Sequence, residues 1–142
     1  MMNIDKKLED IATSQFSEFS YVFENWYDAD TALEKVALPA IICVLPVDGS
    51  MKERNGRTYD AENVMIAFVD TIQRDANGNE NSEVYNRMKF RGWQFLQALN
   101  RCGYFEPIGI ESVHYSVIYE QLSTIVTGVA FDLQLTEKLG RC

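Results

Sequence analysis

The spacing of apolar residues predicts two amphipathic helices. Residues 83–102 carry the stronger pattern, with apolar positions from Tyr85 to Cys102 on one helical stripe. Ser82 is the candidate N-cap of this helix, and Gly103 is the glycine expected just after its end. A shorter stripe near the N-terminus follows the same steps of three and four, through Ile4, Leu8, Ile11, Ala12, Phe16 and Phe19.

Period-two patterns and compact apolar runs predict the strands. The run Pro39–Pro46 is apolar on both faces, as in a strand that is covered on both sides. The segment 125–136 has the cleanest alternation, with Val129, Phe131, Leu133 and Leu135 facing the core. The other predicted strands are 20–26, 63–73 and 113–119.

Three polar segments are predicted to be turns or loops. Asp28-Ala29-Asp30-Thr31 has turn composition, and 75–82 is a second turn-rich segment. The longest, 47–62, is a polar loop with turn signals at Asp48-Gly49 and Asn55-Gly56. Loops of this length are often functional.

The order of these elements predicts an α+β fold. We expect a mostly antiparallel sheet of four to five strands, with an N-terminal helix and one long helix packed on one face. The length of 142 residues suits a single domain, 1–142. Within it, 1–35 is predicted to be a helical and aromatic N-terminal arm, and 36–142 the sheet with the long helix.

Composition excludes several classes of protein. With 46% hydrophobic and 12% aromatic residues, the chain is too apolar for intrinsic disorder. A net charge of −8 disfavours general nucleic-acid binding. No apolar stretch resembles a membrane span or a signal peptide, so we expect no membrane association and no secretion by a signal peptide. Cys43, Cys102 and Cys142 are too scattered for a disulfide framework or a structural zinc site.

Candidate chemistry is scarce. His114 is the single histidine and lies in a predicted strand, and the nucleophile-elbow, dinucleotide and phosphate-loop motifs are all missing. Asp28 and Asp30 are spaced to touch a hard cation, but turn formation explains them more simply. We therefore predict no enzyme activity, no catalytic residue, no metal site and no cofactor.

Charge is distributed unevenly along the chain. Residues 1–34 hold eight acidic and two basic side chains, whereas basic residues gather in 47–62 and in the long helix. This asymmetry is typical either of an ordinary solvated surface or of head-to-tail association between copies. The predicted oligomer or partner contacts are Lys52, Arg54, Arg57, Asp28, Asp30, Arg87 and Arg91.

The element order resembles that of small structural proteins of tailed bacteriophages and prophages. The similarity is carried by the N-terminal helix, the aromatic segment Phe19–Tyr27, the strand Pro39–Pro46, the polar loop 47–62, the long helix and the closing segment Thr127–Leu133. Trp26-Tyr27-Asp28-Ala29-Asp30 is also similar to segments of prophage proteins from gut bacteria. The family is that of tail-terminator, or tail-completion, proteins and related head–tail joining proteins.

The resemblance implies a non-enzymatic subunit of a ring, often a hexamer, that ends tail-tube growth and mediates attachment. Its partners would be further copies, the tail-tube protein and the head connector, and DNA would only pass through. It implies host cytoplasm during assembly, then the virion. Two alternatives stay open: a toxin-neutralising binder, or an α+β ligand-binding protein or enzyme. The latter would use a pocket between the sheet and helix 83–102, lined by Trp93, His114, Tyr115 and Tyr119.

Overall fold

The computed structural model describes residues 4–73, 75–121 and 125–138. Within these ranges the chain forms three α-helices, five strands and a single turn of 3-10 helix at Ile110–Ser112. In chain order the helices and strands are α1 Ile4–Gln15, β1 Ser20–Glu24, α2 Trp26–Leu33, β2 Ala40–Arg54, β3 Arg57–Thr71, α3 Gly78–Arg101, β4 His114–Gln121 and β5 Val126–Lys138.

The five strands form one sheet in the order β1-β2-β3-β5-β4. The neighbours β2–β3, β3–β5 and β5–β4 are antiparallel, whereas β1 runs parallel to β2 because α2 connects them as a crossover. The predicted α+β class with a mostly antiparallel sheet is confirmed. The two edge strands are therefore β1 and β4.

Helices α1 and α3 cover one face of the sheet, which we call the two-helix face. The core on this face contains Leu8 and Ile11 of α1, Phe95 of α3, and Phe68 and Phe131 of the sheet. The predicted packing of the N-terminal helix and the long helix is thus confirmed. The N-terminal segment, predicted as an arm of the domain, contributes α1 and β1 to this same core and sheet.

The other face of the sheet is covered in part by α2, a helix that the sequence pattern did not predict. Leu33 of α2 packs with Val22, Ile42 and Val69 of the sheet. Strand β2 therefore lies between helices, and its residues 40–43 are all buried, as the apolar run Pro39–Pro46 predicted. We call this side the one-helix face.

The predicted loop 47–62 is wrong: this segment is the far end of the β2–β3 hairpin. Pairing continues to Arg54 and Arg57, and only Asn55-Gly56 form the turn. Both turn residues have positive φ, 53° and 75°, which fits a two-residue hairpin turn. Because the hairpin end, residues 48–62, is largely solvated on both faces, its strands lack the apolar alternation that would have revealed them.

Two other segments that were predicted as turns belong wholly or partly to helices. Residues 28–31 lie in α2, and α3 begins at Gly78 instead of at the predicted 83. The N-cap of α3 is Asn77 and not Ser82, because the Asn77 side-chain oxygen accepts a hydrogen bond from the Glu80 amide at 2.9 Å. Asn and Asp residues favour both turns and helix starts, so composition alone did not separate the two.

Glycine allows α3 to approach the sheet closely. A Cβ atom on Gly92 would lie 2.7 Å from Cζ of Phe131 and closer still to its Cε2, well inside van der Waals contact. Gly103 has φ of +80°, which confirms the glycine predicted after the helix end. The contact at Gly92 sets how near α3 lies to β5.

Candidate interaction surface

Large aromatic side chains are exposed on α3 and on the edge strand β4. Phe90 and Trp93 of α3 are 54% and 43% exposed, and Tyr115 and Tyr119 of β4 are 50% and 51% exposed. The Phe90 and Trp93 rings lie 5.8 Å apart between centroids. Side chains of this size are normally buried, so two exposed rings on α3 and two on β4 indicate a surface for contact.

Lys89 connects the helix to the strand within this surface. Its Nζ lies 5.5 Å from the ring centre of Tyr85 and 5.2 Å from that of Tyr115. Tyr85 also packs edge-to-face on Tyr119, at 5.8 Å. We call this group the aromatic surface, and its members are Tyr85, Lys89, Phe90, Trp93, Tyr115 and Tyr119.

The backbone beside the aromatic surface is a sheet edge. Within the described ranges β4 pairs with β5 alone, so its outer amide and carbonyl groups face away from the sheet. Of the four basic residues in 84–102, Arg87 and Arg91 pair with carboxylates of the same chain and Arg101 lies at the far end of the helix, so the positive charge beside β4 comes from Lys89. The β4 edge therefore combines unpaired backbone, exposed aromatic rings and the Lys89 ammonium.

The opposite edge of the sheet, β1, has an acidic border. The Tyr21 hydroxyl donates a hydrogen bond to the backbone oxygen of Asp5 in α1, at 3.1 Å. Burial raises the pKa of Tyr21, and the nearby Cys43 and the carboxylates of Asp5 and Glu9 raise it further. Asp5 and Glu9 thus lie close enough to β1 to act on its side chains, and Glu9 also forms an exposed ion pair of 3.6 Å with Lys6 of the same helix. The two edges of the sheet differ in charge.

The three predicted contacts on the hairpin end are in different states of pairing. Arg54 holds Glu106 through two hydrogen bonds of 2.9 and 3.0 Å and lies over the Tyr59 ring. Lys52 donates to the side chain of Gln134 at 3.3 Å. Arg57 follows the turn directly, opposite Arg54 in the strand register. The basic cluster is thus partly neutralised inside the chain.

The two predicted arginines of α3 also have acidic partners in the chain. Arg87 pairs with the buried Asp70 at 2.6 Å, and Arg91 pairs with Glu18 while its guanidinium lies 4.9 Å from the Phe16 ring centre. Both contacts therefore join α3 to other parts of the same chain.

The acidic candidates lie in α2 and apart from these basic residues. The Asp28 amide donates to the Asn25 side chain at 2.8 Å, and Asn25 in turn donates to the Asp28 carboxylate at 2.7 Å. Asn25 is thus the N-cap of α2, and the Asp28 carboxylate holds the Asn25 side chain in place. The side chain of Asp30 lies outside the described part of the structure. The fold does not bring the seven predicted contact residues into one site.

The pocket considered between the sheet and the long helix is filled by side chains. Phe68 and Phe131 of the sheet pack against Met88, Phe95 and Leu99 of α3. Of the predicted lining residues, Trp93, Tyr115 and Tyr119 are exposed at the margin of this core. His114 is exposed and lies opposite Asp132 in the strand register. Its side chain is on the one-helix face, because neighbouring strand residues point to opposite sides of the sheet.

A groove of about 480 Å³ lies on the uncovered part of the one-helix face. Its polar lining includes Asp48, Asn63, Gln134 and Asp132. Three of these form a row of hydrogen bonds, in which Gln134 donates to Asn63 at 3.2 Å and Asn63 donates to Asp48. Most polar groups of the groove are therefore satisfied by each other.

Sequence reasoning missed Lys89 and Phe90, and it assigned Trp93, Tyr115 and Tyr119 to a pocket. One sequence signal was present: Phe90 and Trp93 are large aromatic residues that lie off the buried stripe of the predicted long helix. The acidic border of β1 had no such signal, because it depends on how α1 lies beside that strand.

Comparison of the sequence with protein-family models finds no matching family, and the search of curated proteins finds no similar protein. Among the described residues, no helix has the length and apolar character needed to cross a membrane. The same residues contain no cluster of histidine, cysteine, aspartate or glutamate arranged to hold a metal ion. The aromatic surface is the feature of the described chain that most needs a functional explanation.

Proposed function

We propose that this chain is a non-enzymatic structural subunit that assembles with copies of itself into a ring. The single observation that carries the proposal is the aromatic surface beside the unpaired β4 edge. Exposed aromatic residues next to free backbone groups favour association, because pairing would satisfy the backbone while it buries the rings.

The size of the aromatic surface suits part of a protein interface. Four rings that are each about half exposed offer roughly 400 Å² of area to bury, about half of the roughly 800 Å² that each partner loses in a stable complex. At about 25 cal/mol per Å² this gives roughly 10 kcal/mol before the entropy of association is subtracted. The surface is too small to act alone, so the strand edge and neighbouring charges must contribute.

The proposed biological setting is the tail of a bacteriophage or prophage, and it depends on the resemblance in element order. In that setting the ring is a tail terminator or head–tail joining component, which caps the tail tube and mediates attachment. Its partners are the tail-tube protein and the head connector, and DNA passes through without specific binding. The subunit assembles in the host cytoplasm and ends in the virion.

Native mass spectrometry and sedimentation over a range of concentrations test the proposal. We expect a defined oligomer, loss of that oligomer in Trp93→Glu, and co-purification with tail-tube or connector proteins encoded by neighbouring genes. Met51→Glu on the hairpin end is the matched comparison, since Met51 is also exposed, at 69%. A wild-type chain that stays monomeric at every concentration and binds no tail protein would refute the proposed function.

A second candidate is small-ligand binding in the groove on the one-helix face. Its volume of about 480 Å³ falls within the range of ligand sites. The hydrogen-bonded row of Asp48, Asn63 and Gln134 weighs against it, because a ligand would have to replace those bonds. A monomeric chain whose melting temperature rises with a small ligand would favour this candidate.

A further inference from the structure

We propose that the β4 edge of one copy pairs antiparallel with the β1 edge of the next copy, so that Lys89 of the first meets Asp5 and Glu9 of the second. This inference rests on the proposed function, which supplies self-assembly but not the surfaces that meet. The occupant of the aromatic surface is therefore the acidic edge of another copy of this chain.

The strand directions permit this pairing. Strand β1 runs parallel to β2, β2 is antiparallel to β3, and β3 is antiparallel to β5, so β1, β2 and β5 share one direction. Strand β4 is antiparallel to β5 and therefore runs opposite to β1. Copies related by rotation about an axis along the strands keep these directions, so β4 meets the next β1 as an antiparallel neighbour.

The side chains of the two edges match in character. On the two-helix face, Tyr115 and Tyr119 of β4 would lie beside Tyr21 and Phe23 of β1, which are half-buried and pack against the same core. On the opposite face, Ile118 of β4 belongs to the same core cluster as Val22 of β1. An aromatic layer and an apolar layer would thus continue from one copy to the next.

Charge identifies the acidic edge as the partner. Lys89 lies on the two-helix face beside β4, and Asp5 and Glu9 belong to α1, which packs on that face beside β1. In a continued sheet, α3 and the next α1 would be separated by three strand spacings, about 14 Å. Tyrosine rings fill such a gap, and lysine and glutamate side chains are long enough to meet across it.

The same charges disfavour the symmetric alternative, in which two β4 edges pair about a two-fold axis. That arrangement would place both Lys89 ammonium groups on the same face of the junction with neither Asp5 nor Glu9 opposite them, in a stretch of α3 that has no carboxylate after Glu83. Pairing of unlike edges places opposite charges together, and each copy keeps one free edge for the next. Such heterologous contacts close into a ring.

Two charge reversals and their mixture test the pairing. Lys89→Glu and Glu9→Lys each place like charges at the interface. Each variant alone should therefore raise the protein concentration needed for assembly at least tenfold. Mixed in equal amounts, the two variants restore opposite charges at every contact, and they should assemble in strict alternation with an even number of subunits. Arg101→Glu is the matched control, because it reverses an exposed charge on the same helix away from β4.

Native mass spectrometry of the mixture, with one variant isotope-labelled, reads out the alternation. Assembly of the wild type together with normal assembly of both variants would overturn the edge pairing while the proposed function stands. Loss of assembly in Lys89→Glu but not in Glu9→Lys would also overturn it, because Lys89 would then contact something other than the acidic edge. A monomeric wild type would overturn both proposals.

Discussion

Replacing Gly92 by alanine tests how closely α3 lies on the sheet. The new Cβ would lie 2.7 Å from Cζ of Phe131, whereas carbon atoms pack at about 3.5–4.0 Å. The Phe131 ring is 4% exposed and is held between Phe68 and Tyr115, with ring centres 5.9 and 6.1 Å away. The ring therefore has little freedom to retreat.

Two opposing effects decide the size of the change. Alanine in place of glycine inside a helix stabilises it by about 1 kcal/mol, whereas overpacking of a core costs about 1–3 kcal/mol. We expect the steric cost to win, with a net loss of about 1 kcal/mol and a fall of about 3 °C in melting temperature. Gly78→Ala is the matched control, because a Cβ added to Gly78 would meet no atom within 4 Å. It should leave stability unchanged or raise it.

Urea denaturation of Gly92→Ala, Phe131→Leu and the double variant completes the test. The smaller leucine gives the alanine methyl room, so the double variant should be more stable than the sum of the single changes predicts, by about 1 kcal/mol. If Gly92→Ala is as stable as Gly78→Ala, or if the two sites show no coupling, the close contact between α3 and Phe131 is refuted.

Two further predictions concern the start of α3 and a carboxyl group of the sheet. Asn77→Ala should lower the free energy of unfolding by about 1 kcal/mol, and Ser82→Ala by less than about 0.5 kcal/mol; equal losses would contradict the observed helix start. Burial and the neighbouring Asp60 raise the pKa of Glu62, so ionisation of Glu62 above its unfolded-state pKa destabilises the fold. Glu62→Gln should therefore raise the melting temperature at pH 7 but not at pH 3. A gain confined to pH 3 would contradict the raised pKa of Glu62.

The elements predicted correctly are those whose burial leaves a periodic record. The apolar face of α3, the doubly covered start of β2 and the alternation of β5 each follow from one rule: side chains that face a core must be apolar. The prediction failed where the core is absent or small. The hairpin end is polar because it extends into solvent, and α2 was read as a turn because its Asp residues suit both structures.

The charged residues also show which properties the sequence determines and which depend on the fold. The net charge of −8 and the excess of acidic residues in 1–34 are properties of the sequence alone. Three of the five basic side chains chosen as contacts, Arg54, Arg87 and Arg91, have carboxylate partners within the chain, and no local pattern predicts pairs so distant in sequence. Candidate contact residues chosen by charge therefore had to be revised once the folded neighbours were known.

Sequence periodicity by itself determined the α+β class, the two main helices and most of the buried strands, because those features depend on which residues leave water. Strand order, and with it the identity of the edges, depends on contacts between residues far apart in the chain. Only the folded sheet places Lys89 and the exposed rings beside one unpaired edge, and Asp5 and Glu9 beside the other.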